Sequence, residues 1–108
     1  MARSPRKKPK KSSGSDHHHV YVVFLRNPAW KGQTGWYVGM TGLTPEQRFE
    51  NHKNGIRAAR MVRKYGVRLV PKLYAHLNPM PYEKAVAMEK WLFESLRKRG
   101  YHNVHGGH

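Results

Sequence analysis

The hydrophobic pattern of the chain predicts strands in its first half and helices around and after them. Residues 20–25, VYVVFL, are rich in β-branched and aromatic side chains and predict a buried strand. A polar loop with one proline and two glycines follows, and residues 36–41, WYVGMT, predict the returning strand of a hairpin. Residues 67–77, VRLVPKLYAHL, have a one-sided apolar pattern and predict a third strand, in which Pro71 requires a bulge or an edge position.

A helix is predicted directly after the hairpin. Thr44 at the N-cap, Pro45 at the first helical position and Gln47 form a capping-box signature. Asn54 and Gly55 supply a stop signal at its end. Residues 56–66, IRAARMVRKYG, predict a second, short helix with a basic face. Its inward face is expected to carry Ile56, Ala59 and either Met61 or Val62.

The last predicted helix, residues 81–100, begins at a proline, ends at a glycine and carries an apolar stripe at intervals of three and four residues. Glu89 falls within that stripe, where a carboxylate is out of pattern. Trp91, beside Leu92, is expected in the core. The members of the stripe are Ala85, Met88, Leu92 and Leu96.

Together the elements predict an α+β fold with a small three-stranded antiparallel sheet flanked by helices, in the order β-β-α-(α)-β-α. The length of 108 residues suits a single domain, which is expected at residues 17–108. Residues 1–16, MARSPRKKPKKSSGSD, carry six basic side chains, one acid and almost nothing apolar, and so predict a disordered basic arm. The arm is interpreted as adding nonspecific phosphate affinity, with a nuclear-localisation signal or a tag remnant as the alternatives.

Charge is the strongest compositional signal. Lys and Arg number 21 against 6 Asp and Glu, a formal net charge of +15, which favours a polyanionic partner and nucleic acid above all. An anionic membrane surface is less favoured, because membrane binders usually carry a long amphipathic helix with bulky apolar residues opposite a basic face, and the one strong helix predicted here has another use. The absence of cysteine excludes disulfides, a thiol nucleophile and a cysteine-based zinc site. With no apolar run long enough for a membrane span or a secretory signal, we expect a cytoplasmic protein that associates with DNA in the nucleoid or nucleus.

Three polar residues on the predicted helices are candidates for chemistry. A carboxylate on a buried face needs a basic partner, hydrogen bonds or a cation. For Glu89 the alternatives are a pair with an arginine, an edge position exposed to solvent, or the role of a metal ligand. Arg48 and His52 are four residues apart and share one helix face. They are either solvated surface residues or a phosphate-binding guanidinium beside an imidazole that positions groups or transfers protons.

In their order along the chain, these residues resemble the GIY-YIG nuclease superfamily. The motifs VYV at 20–22 and YVG at 37–39 each place a tyrosine in a strand, and Arg48, His52, Glu89 and Asn103 follow in the family's order. The resemblance covers residues 20–103, nearly the whole predicted domain. The loop between the two motifs has a length similar to that of the structure-specific branch, which cuts branched DNA.

The resemblance implies a metal-dependent DNA endonuclease that leaves 5′-phosphate and 3′-hydroxyl ends, in a setting such as DNA repair or recombination. Glu89 would hold one Mg²⁺ or Mn²⁺, Tyr21 would take a proton from the attacking water, and Arg48 would stabilise the phosphate. The implied catalytic residues are Tyr21, Tyr37, Arg48, His52, Glu89 and Asn103. The cations expected to contact the DNA backbone are Lys53, Arg57, Arg60, Arg63 and Lys64.

Met40 stands where some repair members of the family carry a lysine. The charge of that lysine is therefore absent or is supplied by Lys53 or Arg57. The competing hypothesis is a noncatalytic nucleic-acid-binding module with the same fold and basic surface.

Trp30 and Trp36 are expected to pack within the protein, with base stacking as the alternative. The C-terminal histidines, His102, His105 and His108, are expected to be solvated rather than zinc ligands.

Overall fold

The hairpin predicted from the apolar pattern forms the centre of the fold. The structure is a computed structural model that describes residues 16–107. Strands β1 (His19–Arg26) and β2 (Thr34–Thr41) pair antiparallel along their whole lengths, with Tyr21 opposite Gly39. Residues 20–23 of β1 are all buried, so both faces of this strand are covered. The predicted basic arm, apart from Asp16, lies outside the described residues, as does His108.

The sheet has four strands in the order β3-β1-β2-β4 and is mixed, so the prediction of three antiparallel strands is wrong. Strand β3 (Gly66–Leu69) is antiparallel to β1, and β4 (Val104–Gly106) is parallel to β2. β4 has only three residues, VHG, which carry no alternation that a sequence pattern could reveal. It places the C-terminal segment directly beside Tyr37, which pairs with His105.

Strand β3 is much shorter than predicted and ends before Pro71. Proline has no N–H for a ladder, and here it begins a 3₁₀ turn, Pro71–Leu73, that a second turn, Ala75–Leu77, follows. The expected one-sided apolar stripe therefore does not exist, and Val67 is 47% exposed. β3 does lie at an end of the sheet, but Pro71, which was predicted to require a bulge or an edge position within the strand, lies outside it.

Three α-helices are present in the described part of the chain: α1 (Pro45–Lys53), α2 (Arg60–Tyr65) and α3 (Tyr82–Lys98). The capping box that begins α1 is confirmed, because the Thr44 hydroxyl accepts from the Gln47 N–H and the Gln47 side chain accepts from the Thr44 N–H. α2 begins later than predicted, and Ile56 lies in the preceding loop with 54% of its surface exposed, so its predicted inward packing is wrong.

Helix α3 buries three of the four residues of the predicted stripe and the carboxylate within it, while Met88 is half-buried. Ala85, Leu92 and Leu96 are at most 1% exposed, and Glu89 is 4% exposed. The expectation that Trp91 lies in the core is wrong, because its side chain is 54% exposed. Consecutive helical residues point about 100° apart, so the neighbour of a buried leucine need not be buried. Within residues 16–107, no helix is long and apolar enough to cross a bilayer.

The contrast between Leu92 and its neighbour Trp91 makes a direct test of the packing. Leu92→Ala is expected to lower the free energy of unfolding by about 2–5 kcal/mol, because it leaves a cavity in the core. Trp91→Ala, at a surface position, is expected to change it by no more than about 0.5 kcal/mol. Urea unfolding followed by circular dichroism measures both variants, and a cost for Trp91→Ala equal to that of Leu92→Ala would contradict this orientation of α3.

Candidate active site

One open cavity of about 320 Å³ lies between the hairpin, α1, α3 and the C-terminal segment. It brings together four of the residues implied by the family resemblance: Tyr21, Tyr37, Arg48 and Glu89. Two hydroxyls, a guanidinium and a carboxylate thus face one space. The remaining lining residues are Gly39, Met40, Tyr82, Val86 and Gly107.

Tyr21 reaches the cavity because the opposite strand has no side chain in its way. A Cβ built at Gly39 would lie 2.6 Å from the Tyr21 hydroxyl and 2.7 Å from the adjoining ring carbon. Real Cβ atoms essentially never come that close, so the phenol occupies the space that a side chain at Gly39 would need. The glycine of the YVG motif is therefore a packing requirement of the tyrosine on β1.

His52 on α1 holds the Tyr21 hydroxyl in place. Its Nε2 lies 2.8 Å from the Tyr21 oxygen, and its Nδ1 accepts a hydrogen bond of 2.9 Å from the backbone N–H of Ala59. A neutral imidazole carries one N–H, so the Ala59 bond places that proton on Nε2. His52 consequently donates to the Tyr21 oxygen, which leaves the hydrogen of the phenol free to point elsewhere.

The burial of His52 keeps its ring neutral. The side chain is 0% exposed, and this burial, together with the charge of Arg48, lowers the pKa of His52 to about 4. At neutral pH the imidazole therefore remains a single donor toward Tyr21. With its other nitrogen committed to Ala59, His52 positions the phenol and does not accept its proton.

Opposing effects act on the Tyr21 phenol. Burial is the largest and raises the pKa of Tyr21, and the charges of Tyr37 and Glu89 raise it further. Arg48 lowers the pKa through its charge and through a hydrogen bond to the phenol. Burial dominates, so the phenol is protonated at neutral pH and additional positive charge is needed to form the phenolate.

Arg48 links the cavity to the loop between α1 and α2. Its guanidinium donates to the carbonyl of Arg57 at 2.8 Å and to that of Ile56 at 3.3 Å. A guanidinium has five N–H donors, so these two bonds leave further donors for Tyr21 and for a ligand in the cavity. Arg48 is thus held by the backbone and presents a fixed positive charge.

Tyr37 and Glu89 meet at the C-terminal segment. A Cβ built at Gly107 would lie 2.6 Å from the Tyr37 hydroxyl and 3.3 Å from Glu89 Oε2, so both oxygens approach the same point. The N–H of Gly107 donates to the Val38 carbonyl at 2.9 Å, which continues the pairing of β4 with β2 and fixes the segment there. Burial and then the charge of Glu89 raise the pKa of Tyr37, while Arg48 lowers it.

Asn103 is not among the residues that line the cavity. Its side-chain amide donates to the carbonyls of Thr34 at 2.8 Å and Lys31 at 3.3 Å, and its own carbonyl accepts from the Trp36 N–H. Its φ is +52°, in the left-handed region that asparagine tolerates better than most residues. Asn103 therefore joins the loop of the hairpin to the start of β4.

The predicted phosphate-binding cations lie outside the cavity. The Lys53 ammonium donates to the carbonyls of Arg63 and Gly66 at 3.1 and 2.9 Å, so it fastens α1 to the end of α2. The others have exposed side chains on α2 and the loop before it: Arg57, Arg60, Arg63 and Lys64. Of these, Arg57 belongs to the loop whose carbonyl groups hold Arg48 in place.

The prediction that the two tryptophans pack within the protein is confirmed, and the prediction that His105 is solvated is wrong. Trp30 and Trp36 pack against the core, as expected, with Trp36 against Phe24 at a centroid distance of 5.1 Å. His105 is not solvated as expected, since its ring stacks on Trp30 at 5.3 Å and its Nε2 is buried. Burial also lowers the pKa of His105. The unforeseen strand β4 explains the difference.

The sequence interpretation missed three contributors to the cavity: Gly107, Tyr82 and Val86. Tyr82 stands seven residues before Glu89 and Val86 three before it, so both share its helix face, a signal that was available in the sequence. Gly107 carries no such signal, because its place depends on the three-residue strand β4.

The donor set fits one hard divalent cation. In the described residues, no group of three or more His, Asp or Glu side chains gathers as a ready-made metal cage. The cavity offers one carboxylate, Glu89, with tyrosine oxygens nearby. This suits Mg²⁺, which is commonly bound by one or two carboxylates together with water and substrate phosphate oxygens.

Comparison of the chain with known protein families, with curated proteins and with solved structures finds no match in any of the three.

The close approach of Gly39 to Tyr21 makes a testable prediction. Gly39→Ala is expected to lower the free energy of unfolding by about 1–3 kcal/mol, because the new methyl group forces the Tyr21 ring away from His52. Chemical denaturation measures this cost. Gly42→Ala is the matched control, since its nearest atom, His18 Nε2, would be at an ordinary 3.5 Å and the change is expected to stay within about 0.5 kcal/mol. Equal effects of the two substitutions would contradict this placement of the phenol.

Proposed function

We propose that this protein is a metal-dependent DNA endonuclease of the GIY-YIG type. The single observation that carries the proposal is the convergence of Tyr21, Tyr37, Arg48 and Glu89 on one open cavity in a protein with a net charge of +15. These residues come from four separate elements, β1, β2, α1 and α3. The family resemblance, drawn from their order in the sequence, implies a site made of these four residues together with His52 and Asn103.

The charge distribution supports a phosphodiester as the substrate. Arg48 faces the cavity and bonds the loop that carries Arg57, and Arg57 and the α2 cations are exposed. Exposed cations attract the DNA backbone without reading its sequence. A guanidinium presents paired donors that match two oxygens of one phosphate, so Arg48 is the residue assigned to the scissile phosphate.

Glu89 is the residue assigned to the cation. A divalent cation held by this carboxylate would supply positive charge that stabilises both the Tyr21 phenolate and the nonbridging phosphate oxygens. Glu89 is 4% exposed, and its carboxylate would otherwise face an anionic ligand across the cavity. Bringing a cation between two anions removes that repulsion.

Tyr21 is the residue assigned to the attacking water. Its phenolate would take one proton from water while the water oxygen forms a bond to phosphorus and the bond from phosphorus to the 3′ oxygen breaks. The 3′ oxygen then takes a proton from solvent, which leaves 3′-hydroxyl and 5′-phosphate ends. The N–H of His52 and the guanidinium of Arg48 both donate to the Tyr21 oxygen and so favour the phenolate over the phenol.

Tyr37 is assigned to orientation. Its hydroxyl lies beside Glu89 and beneath Gly107, and the charge of Glu89 helps to keep it protonated. A protonated phenol donates one hydrogen bond, which suits a phosphate oxygen or the attacking water.

The noncatalytic binding module remains the competing proposal, and Glu89 argues against it. A protein that only binds phosphate gains nothing from a carboxylate in the cavity where the phosphate would lie, because like charges repel. The exposed cations alone would serve such a module.

Cleavage of DNA in Mg²⁺ or Mn²⁺ tests the proposal. Glu89→Gln keeps the shape of the side chain but removes its charge, and we expect it to lower the cleavage rate at least about 100-fold, with DNA binding at low salt retained. Tyr21→Phe is expected to lower the rate by about 10²–10⁴-fold through loss of the base. Gel assays of nicking measure the rate, and fluorescence anisotropy measures the binding.

Glu94→Gln is the control for the charge on α3, since Glu94 is exposed and lies away from the cavity. It removes the same charge from the same helix and should cleave at the wild-type rate. A Glu89→Gln protein that cuts as fast as the wild type would refute the assignment of Glu89, and a wild type that cuts no DNA in either metal would favour the binding module.

A further inference from the structure

An exposed aromatic ring at the mouth of the cavity has no role in the chemistry described above. Tyr82, the first residue of α3, is 55% exposed and lines the same cavity as Glu89 and Arg48. Val86, one turn further along the helix, also lines it and is 43% exposed. The wall of the cavity is therefore polar at depth and apolar at its mouth.

The two ends of this wall have a spacing fixed by the helix. Tyr82 and Glu89 are seven residues apart, so they lie on one face and are separated by about 10 Å along the axis. A phosphate beside Glu89 would thus have the flat ring of Tyr82 within reach of the nucleoside attached to it or of the next one. Val86 lies between them and offers apolar contact to the same group.

The Tyr82 ring is braced by His18, the residue just before β1. His18 meets it edge-on, with ring centroids 5.2 Å apart and an interplanar angle of 71°. His18 in turn pairs with Met80 through two backbone hydrogen bonds of 3.0 and 2.9 Å. The Asn78 side chain adds two more bonds to the backbone of Val20, at 2.9 and 2.7 Å. The ring is exposed, yet the backbone that carries it is fixed.

We propose that Tyr82 stacks on an unpaired base next to the scissile phosphate, so that the substrate is DNA with an unpaired nucleotide at the cleavage site, such as a flap or a gap. The inference rests on the proposed function. Aromatic rings beside a basic groove bind single-stranded DNA because every base has a flat face to stack on. A base within a duplex is stacked on its neighbours, so it must leave the stack before it meets a protein ring.

A binding assay tests the stacking without any cleavage. A flapped duplex carries 2-aminopurine as the first unpaired base, and the protein is added in Ca²⁺ in place of Mg²⁺, so that a cation still offsets the charge of Glu89, with a gel to check that the DNA stays intact. We expect the wild type and Tyr82→Phe to quench the fluorescence on saturation, and Tyr82→Ala to lose this quenching. Trp91→Ala is the control, since Trp91 is an exposed aromatic on the same helix that does not line the cavity, and it should quench like the wild type.

A cleavage assay tests the substrate preference. In Mg²⁺ we expect the wild type to cut the flapped DNA more efficiently than a perfect duplex of the same sequence, and Tyr82→Ala to lose about 5- to 150-fold in kcat/KM on the flapped DNA, the range that one base stack supplies. Tyr82→Phe should keep the preference, because it keeps the ring.

The outcomes separate this inference from the proposed function. A protein that cuts DNA while Tyr82→Ala quenches and prefers flaps like the wild type overturns the role of Tyr82 and leaves the endonuclease standing. A protein that shows Tyr82-dependent quenching but cuts no DNA refutes the endonuclease and supports the stacking site.

Discussion

The candidate site depends on one hydrogen bond that involves no catalytic atom, the bond from the Ala59 N–H to Nδ1 of His52. It fixes which nitrogen of the ring carries the proton, and so makes His52 a donor to the Tyr21 oxygen. A donor at that oxygen favours the phenolate, whereas an acceptor would favour the phenol. The loop before α2, which Arg48 holds through its carbonyl groups, is thereby part of the proposed chemistry although it lines none of the cavity.

The second constraint is a local imbalance of charge within a very basic protein. The chain carries a net charge of +15, but in the cavity burial and Glu89 work against ionisation of Tyr21 and Tyr37. Arg48 alone does not overcome them, since the pKa of both phenols stays raised. The proposed cation would resolve this imbalance, because it would pair with Glu89 and favour the same phenolate that His52 and Arg48 favour. On this account the site is inactive until a divalent cation binds.

Sequence reasoning recovers the parts of the fold that local rules determine. The hairpin, the capping box of α1 and the buried stripe of α3 follow from periodicity and capping chemistry. The position of Glu89 on that stripe identifies it as a candidate site residue. β4 is missed because three residues have no measurable period, and its pairing to β2 is a long-range contact. The burial of His105 and the place of Gly107 beside Tyr37 follow from that strand alone. The need for glycine opposite Tyr21 likewise depends on the register of two strands, which no single stretch of sequence contains.

The most direct measurement of the central claim is the location of a bound cation. Crystals of the full chain soaked in Mn²⁺, with diffraction data collected just above and just below the manganese absorption edge, give an anomalous difference signal at the metal position alone. The account predicts one peak in the cavity, beside the Glu89 carboxylate and facing Tyr21, Tyr37 and Arg48. A cavity without a peak, with the Glu89 side chain turned away from those three residues, would contradict it.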